Sequence, residues 1–136
     1  MLMLYSTLAG ILRCSPRQSV ITLKERFHRL ARKTKILPRT DPNYASAIRT
    51  LHSAILGIGA LLDAYPYSCP SWVPGLITDV LSKHTHSPLP ISTTVHKTAM
   101  NFKRTHQDTW AEDQKKFDED GLSALSLLLT GSSYYA

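Results

Sequence analysis

Four kinds of side chain in this 136-residue chain could do chemistry: two cysteines, six histidines, a dense run of lysines and arginines, and a tyrosine pair beside a terminal carboxylate. Cys14 and Cys69 carry no local nucleophile signature, and a cysteine in this setting behaves as a small buried hydrophobe. Cys69 with His84 and His86 lacks the ligand spacing of a zinc finger or ribbon. His28, His52, His96 and His106 are scattered along helical segments and suit solvated or hydrogen-bonded roles. The chain therefore reads as a binding or regulatory module, not an enzyme, with no metal and no cofactor of its own.

The tail offers more. Tyr134 and Tyr135 supply two aromatics and a phenol, and Ala136 supplies a carboxylate. That is the set a partner needs for C-terminal capture, with a cation or backbone amides receiving the charge. The lead is Thr130-Gly131-Ser132-Ser133. Gly131 is expected to end the preceding helix in a left-handed conformation. This divides the chain into a helical body, residues 1–131, and a docking tail, residues 132–136, that reaches roughly 17 Å at most.

The cations form the second candidate site. From Arg13 to Arg39 nine Lys/Arg face Glu25 alone, giving +8, whereas from Asp108 to Asp120 six acids face Lys115 and Lys116, giving −4. A basic front and an acidic back are two electrostatically different faces. Lys24, Arg29, Arg32 and Lys33 are the residues expected to meet a polyanion, because Lys and Arg contacts to phosphate give affinity without sequence choice. No aromatic-interleaved platform accompanies them. The plainer reading makes them the solvated outer face of a helix. Arg32-Lys33-Thr34-Lys35 also resembles a short nuclear-import signal.

The elements that position these groups read as helices throughout. Leu4, Leu8, Ile11 and Leu12 share one face of a short first helix. Leu23, Phe27, Leu30, Ala31 and Thr34 line the inner side of a second, which Pro38 stops. Asp41-Pro42 is a start signal for a third, whose Ile48, Leu51, Ile55, Ile58 and Leu62 step at helical spacing. Gly57 and Gly59 interrupt it and imply close backbone contact with a neighbouring helix or, failing that, a local irregularity. A Pro-rich turn at residues 65–70 precedes a fourth helix with Val73, Leu76, Ile77, Val80 and Leu81 inward and Pro74 in its first turn. The fifth buries Ile91, Val95, Ala99 and Phe102. Asp118 caps the last, which buries Leu122, Leu125, Leu128 and Leu129. No segment alternates like a strand. Helix pairs beginning near residues 3, 43 and 90 have the spacing of HEAT or armadillo repeats. The predicted fold is therefore all-α: about three helical hairpins in a short α-solenoid, with a compact six-helix bundle as the alternative. No apolar run approaches the ~20 residues that cross a bilayer, and the first residues lack the basic start of a signal peptide, so the chain reads as intracellular and off the membrane.

The stretch Leu51-His52-Ser53-Ala54-Ile55-Leu56-Gly57-Ile58-Gly59-Ala60-Leu61-Leu62, with Tyr65-Pro66-Tyr67 and Pro70-Ser71-Trp72-Val73-Pro74, resembles the C-terminal region of the large HEAT-repeat proteasome activators of the subunit four family. The likeness continues through Thr94-Val95-His96-Lys97-Thr98, Phe102 to Trp110, Lys116 to Asp120, Leu127 to Leu129 and the terminal Tyr134-Tyr135-Ala136. Such activators are far longer, so the resemblance makes this chain their final few repeats. It implies a module that binds the α-ring of the 20S core particle through a hydrophobic-Tyr-any tail, with Tyr134, Tyr135 and Ala136 in those roles. It further implies gate opening for ubiquitin-independent, ATP-independent degradation of peptides and of unstructured or acetylated histone proteins, the histones being engaged through upstream regions. Roles in DNA repair, residence in nucleus and cytoplasm, and inositol phosphate binding in the full-length proteins belong to the same implication. A basic helical module for nucleic acid or inositol phosphates is the alternative function. Gly121 departs from the family pattern, where an amide or acid side chain completes a capping box, and is expected to cost about 0.5 to 1 kcal/mol of helix stability.

Overall fold

A computed structural model of the chain describes residues 8–12, 14, 16–65 and 69–133, with the backbone alone for the last three of these. Leu4, the turn residues 66–68 and the tail residues Tyr134, Tyr135 and Ala136 lie outside the described residues. Among the described residues the structure is all-α, without a strand. After a helical segment at residues 8–12 come α1 (Arg17–Lys33), α2 (Tyr44–Asp63), α3 (Val73–Asp79), a 3₁₀ turn (Leu81–His84), α4 (Ile91–Thr105), α5 (Trp110–Asp113) and α6 (Glu119–Ser133).

The buried positions follow the helical spacing of the sequence. Ile48, Leu51, Ile55, Ile58 and Leu62 of α2 join Leu76 and Ile77 of α3, Ile91, Val95, Ala99 and Phe102 of α4, and Leu125 and Leu128 of α6 in one core. A smaller cluster packs Ala9, Leu12 and Val20 against Ala60, Leu61 and Ala64. α2 lies at the centre, which explains its composition. It is 20 residues long with a mean hydropathy of 1.4, long and apolar enough to cross a membrane by those two measures alone. The expectation that no apolar run approaches that length was thus too strict, and the apolar side chains responsible are those buried between α1 and α4.

Contacts between helices reveal their directions. His52 meets Thr94, and Asp63 accepts a hydrogen bond from Asn101, so α2 and α4 run parallel. His96 meets the Leu128 carbonyl and Phe102 meets Phe117, so the chain returns antiparallel to α4 along α6. The return of α6 along α4 makes a helical hairpin, within an all-α arrangement.

α1 crosses α2 closely at Gly57, where the Phe27 ring lies so near that an added Cβ would stand 2.7 Å from it. The neighbour at this glycine is therefore an aromatic side chain, not the helix backbone that was expected. Other expectations shift by a turn or less. Asp41 does not cap α2 directly: its carboxylate accepts the Asn43 amide at 2.8 Å in a turn that leads into the helix at Tyr44. α1 ends at Lys33, short of Pro38, where the Thr34 hydroxyl donates to the Leu30 carbonyl, and Leu30 is exposed instead of inward. α5, a single turn carrying Trp110, was not expected. Gly131 does not end the last helix, which runs on to Ser133 with no left-handed glycine among the described residues. Leu125 and Leu128, buried one to two turns earlier, hold the helix register against the roughly 1 kcal/mol that glycine costs it.

Candidate docking site

α6 is the element that carries the tail, and three contacts fix it. At its start the Asp118 carboxylate accepts the Gly121 amide at 2.6 Å, the cap expected from the sequence. Gly121 itself is buried, and a Cβ there would lie 3.0 Å from that capping oxygen and 3.3 Å from both the Phe117 ring and the Thr78 hydroxyl. The glycine thus leaves room for the cap and for α3, a packing reason that the expected stability cost did not include. In its middle, Leu125 and Leu128 are buried, while Leu127 points outward with 66% of its surface exposed. Near its end the Leu128 carbonyl faces His96 Nδ1 at 2.7 Å.

The base of α6 rests on a cluster of rings. Phe102 packs against His106, Trp110 and Phe117 with centroids 4.3, 6.4 and 6.1 Å away. His106 is buried, with Nδ1 2.9 Å from the Phe102 carbonyl, and Lys103 lies over the Trp110 face at 3.6 Å. Hydrogen-bonded roles for His52, His96 and His106 are what the sequence suggested. That His96 and His106 are buried was not legible, because nothing local separates them from surface histidines.

The second candidate site forms a groove along α1 lined by Glu25, His28, Arg29, Arg32 and Lys33. Arg29, Arg32 and Lys33 are exposed there, while Lys24 is half-buried and outside the lining. His28 is the member that the sequence reading missed. Its Nε2 is buried without a hydrogen-bond partner, 4.0 Å from the Asp79 carboxylate. Burial lowers the His28 pKa against the opposing pull of Asp79, and Arg32, Lys24 and Lys83 push it the same way as burial. The positive charge of the groove at neutral pH therefore comes from Arg and Lys.

The cysteines divide by environment. Cys14 is exposed and Cys69 is buried. Burial raises the Cys69 pKa to about 11, the Asp113 carboxylate adding to the effect and Lys116 opposing it. Lys116 also donates to the Cys69 carbonyl at 2.6 Å. At pH 8 a thiol reagent is expected to modify Cys14 rapidly and Cys69 only after unfolding. Fast labelling of both in the native chain would show that the core opens readily. Among the described residues no group of three or more His, Cys, Asp or Glu is placed to hold a metal ion.

The chain spans about 7% of the length of curated relatives that it matches, and 96% of its own length is matched by them. It is 36% identical over 139 residues to Proteasome activator complex subunit 4 of Bos taurus and, at the same identity, to that of Homo sapiens. It is 33% identical over 132 residues to Proteasome activator subunit 4 of Arabidopsis thaliana. The family profile described as "Proteasome activator complex subunit 4-like, C-terminal" matches residues 48–136, from the first core residue of α2 to the last residue of the tail. A match over most of the chain, across the helices that form its core, shows that the chain belongs to the proteasome activator complex subunit 4-like C-terminal family.

Proposed function

We propose that the chain is the proteasome-docking module of a proteasome activator: a regulator without catalysis of its own, whose tail enters a pocket between α subunits of the 20S core particle and promotes gate opening. The observation that carries this reading is that the family match runs through Tyr134, Tyr135 and Ala136, directly after a helix anchored in the core. A terminal carboxylate on Ala136 meets a cationic pocket group in a charge-assisted hydrogen bond of about 1.5 to 3 kcal/mol. Burial of each tyrosine adds about as much at best. Ordering the tail consumes part of this, so the tail alone docks weakly. Tight capping requires the broad footprint of a longer helical-repeat solenoid, which acts through effective concentration. In that longer setting the reading extends to ATP- and ubiquitin-independent turnover of peptides, unstructured proteins and acetylated histones, to DNA repair, and to work in nucleus and cytoplasm.

Deleting Tyr134 to Ala136, or adding one residue after Ala136, is expected to weaken core-particle binding at least about tenfold, the loss of one charge-assisted bond. Stimulation of fluorogenic peptide hydrolysis should fall in parallel. Unchanged binding and stimulation in both variants would end this reading.

The α1 groove favours a second reading, a polyanion contact for nucleic acid or an inositol phosphate. Arg29, Arg32 and Lys33 are exposed side by side along it. Affinity for a single-stranded oligonucleotide should then fall steeply as salt rises. Neutralising Arg29, Arg32 and Lys33 together should abolish the gel shift and leave tail-dependent stimulation intact. A complex indifferent to salt would exclude phosphate contact here.

A further inference from the structure

His96 is 7% exposed and lies between two backbone carbonyls, Leu128 at 2.7 Å from Nδ1 and Thr85 at 3.3 Å from Nε2. Both partners only accept, and a neutral imidazole has a single N–H. A hydrogen on Nδ1, the nitrogen with the shorter contact, lets Nδ1 donate to Leu128. In α6 the Leu128 carbonyl is also the intrahelical acceptor for the amide four residues on, and its second lone pair is free for a side chain. A donor buried in α4 therefore holds the backbone of α6 five residues before the helix ends at Ser133, a span of roughly 8 Å.

We propose that His96 is a positioning residue. Its Nδ1–H clamps the C-terminal turns of α6 to α4 and thereby sets the direction in which the helix delivers Tyr134, Tyr135 and Ala136 to a partner. The physical case is one of orientation. A tail that must place a carboxylate and a phenol together tolerates little freedom at its base, because each unfixed turn adds entropy that docking must remove. Leu128 is fully buried, so its side chain sets how deep the helix sits, while the His96 bond restrains rotation about the helix axis at the same residue. The second half of this proposal, delivery of the tail, rests on the docking function proposed above.

Two isosteres separate the arms of the clamp. His96→Asn keeps a donor at the Nδ1 position and His96→Gln keeps one at the Nε2 position. Circular dichroism and urea midpoints of the full chain establish that both fold. Amide exchange in the last turns of α6 is expected to accelerate about tenfold in His96→Gln and to stay within about twofold of the natural chain in His96→Asn. Core-particle stimulation should follow the same order, lost in the first and retained in the second. Equal exchange in both variants, whether fast or slow, would reduce His96 to a packing residue and overturn the clamp. Accelerated exchange with full stimulation, in a preparation where deleting the tail abolishes stimulation, would overturn the positioning role. If deleting the tail changes nothing, the docking function fails by itself, and the exchange rates still decide whether the clamp exists.

Discussion

Replacing Phe102 by Ala is expected to destabilise the chain by about 3 to 5 kcal/mol, read as a fall in the urea midpoint with little change in slope. The ring is 2% exposed, and it lies where α4, α5 and the entry to α6 converge on it through His106, Trp110 and Phe117. Truncation removes the transfer energy of the ring and leaves a cavity whose walls are themselves rigid aromatics, so collapse is limited. Against a domain stability of roughly 5 to 15 kcal/mol the loss is a large fraction. Near-UV circular dichroism of Trp110 should weaken in the same variant even where the chain remains folded. A cost below about 1 kcal/mol would mean that the three rings close over the gap, and that the cluster is less constrained than its geometry indicates.

The second large effect is expected at the α1–α2 crossing. Gly57→Ala improves intrinsic helix propensity by about 1 kcal/mol, so an exposed glycine at this position would be worth replacing. Here the new Cβ would sit 2.7 to 2.8 Å from three atoms of the Phe27 ring. Phe27 packs against both core clusters, and moving it disturbs both. Overpacking of this kind costs about 1 to 3 kcal/mol, so Ala should be destabilising by about 1 kcal/mol on balance and Val by more. A cycle with Phe27→Leu supplies the decisive measurement. If the contact is responsible, the Ala substitution should become neutral or stabilising once the ring is gone, with a coupling of at least about 1 kcal/mol. A stabilising Ala in the natural chain would show that the ring swings aside cheaply.

Both effects illustrate what could be read before the structure. The apolar spacing of residues 48–62, 73–81, 91–102 and 122–129 anticipated the all-α class and much of the core, though not Val20, Ala54, Ala60 or Leu61, because helical periodicity is a local property. The interruption at Gly57 pointed to a helix backbone packed close by or to an irregularity, whereas the neighbour is the Phe27 ring, which no local signal names. Local signals erred by a turn or less where tertiary burial outweighed them. Gly131 has the chemistry of a helix stop, yet the helix continues through it. Gly121 looked only like a cost to the helix, whereas an added Cβ there would crowd the capping oxygen, the Phe117 ring and the Thr78 hydroxyl. The single turn at Trp110–Asp113 was missed because a helix that short leaves no periodic trace.

For the candidate sites the division is sharper. The candidate tail is proposed from three residues in a row, since the chemistry proposed for it is carried by the side chains and the carboxylate themselves. The basic groove was visible as a charge run, and His28, one helical turn from Arg32 on the same face, could have been found from that spacing; its approach to Asp79, distant in sequence and close in space, could not. The contact between His96 and the Leu128 carbonyl joins residues 32 apart. Spacing along a chain determines which face of each helix is apolar, and so it determined the class of this fold. Which face meets which, and therefore which buried ring receives a glycine or which histidine finds a carbonyl, is a matter of packing between helices, and only the tertiary structure decided it.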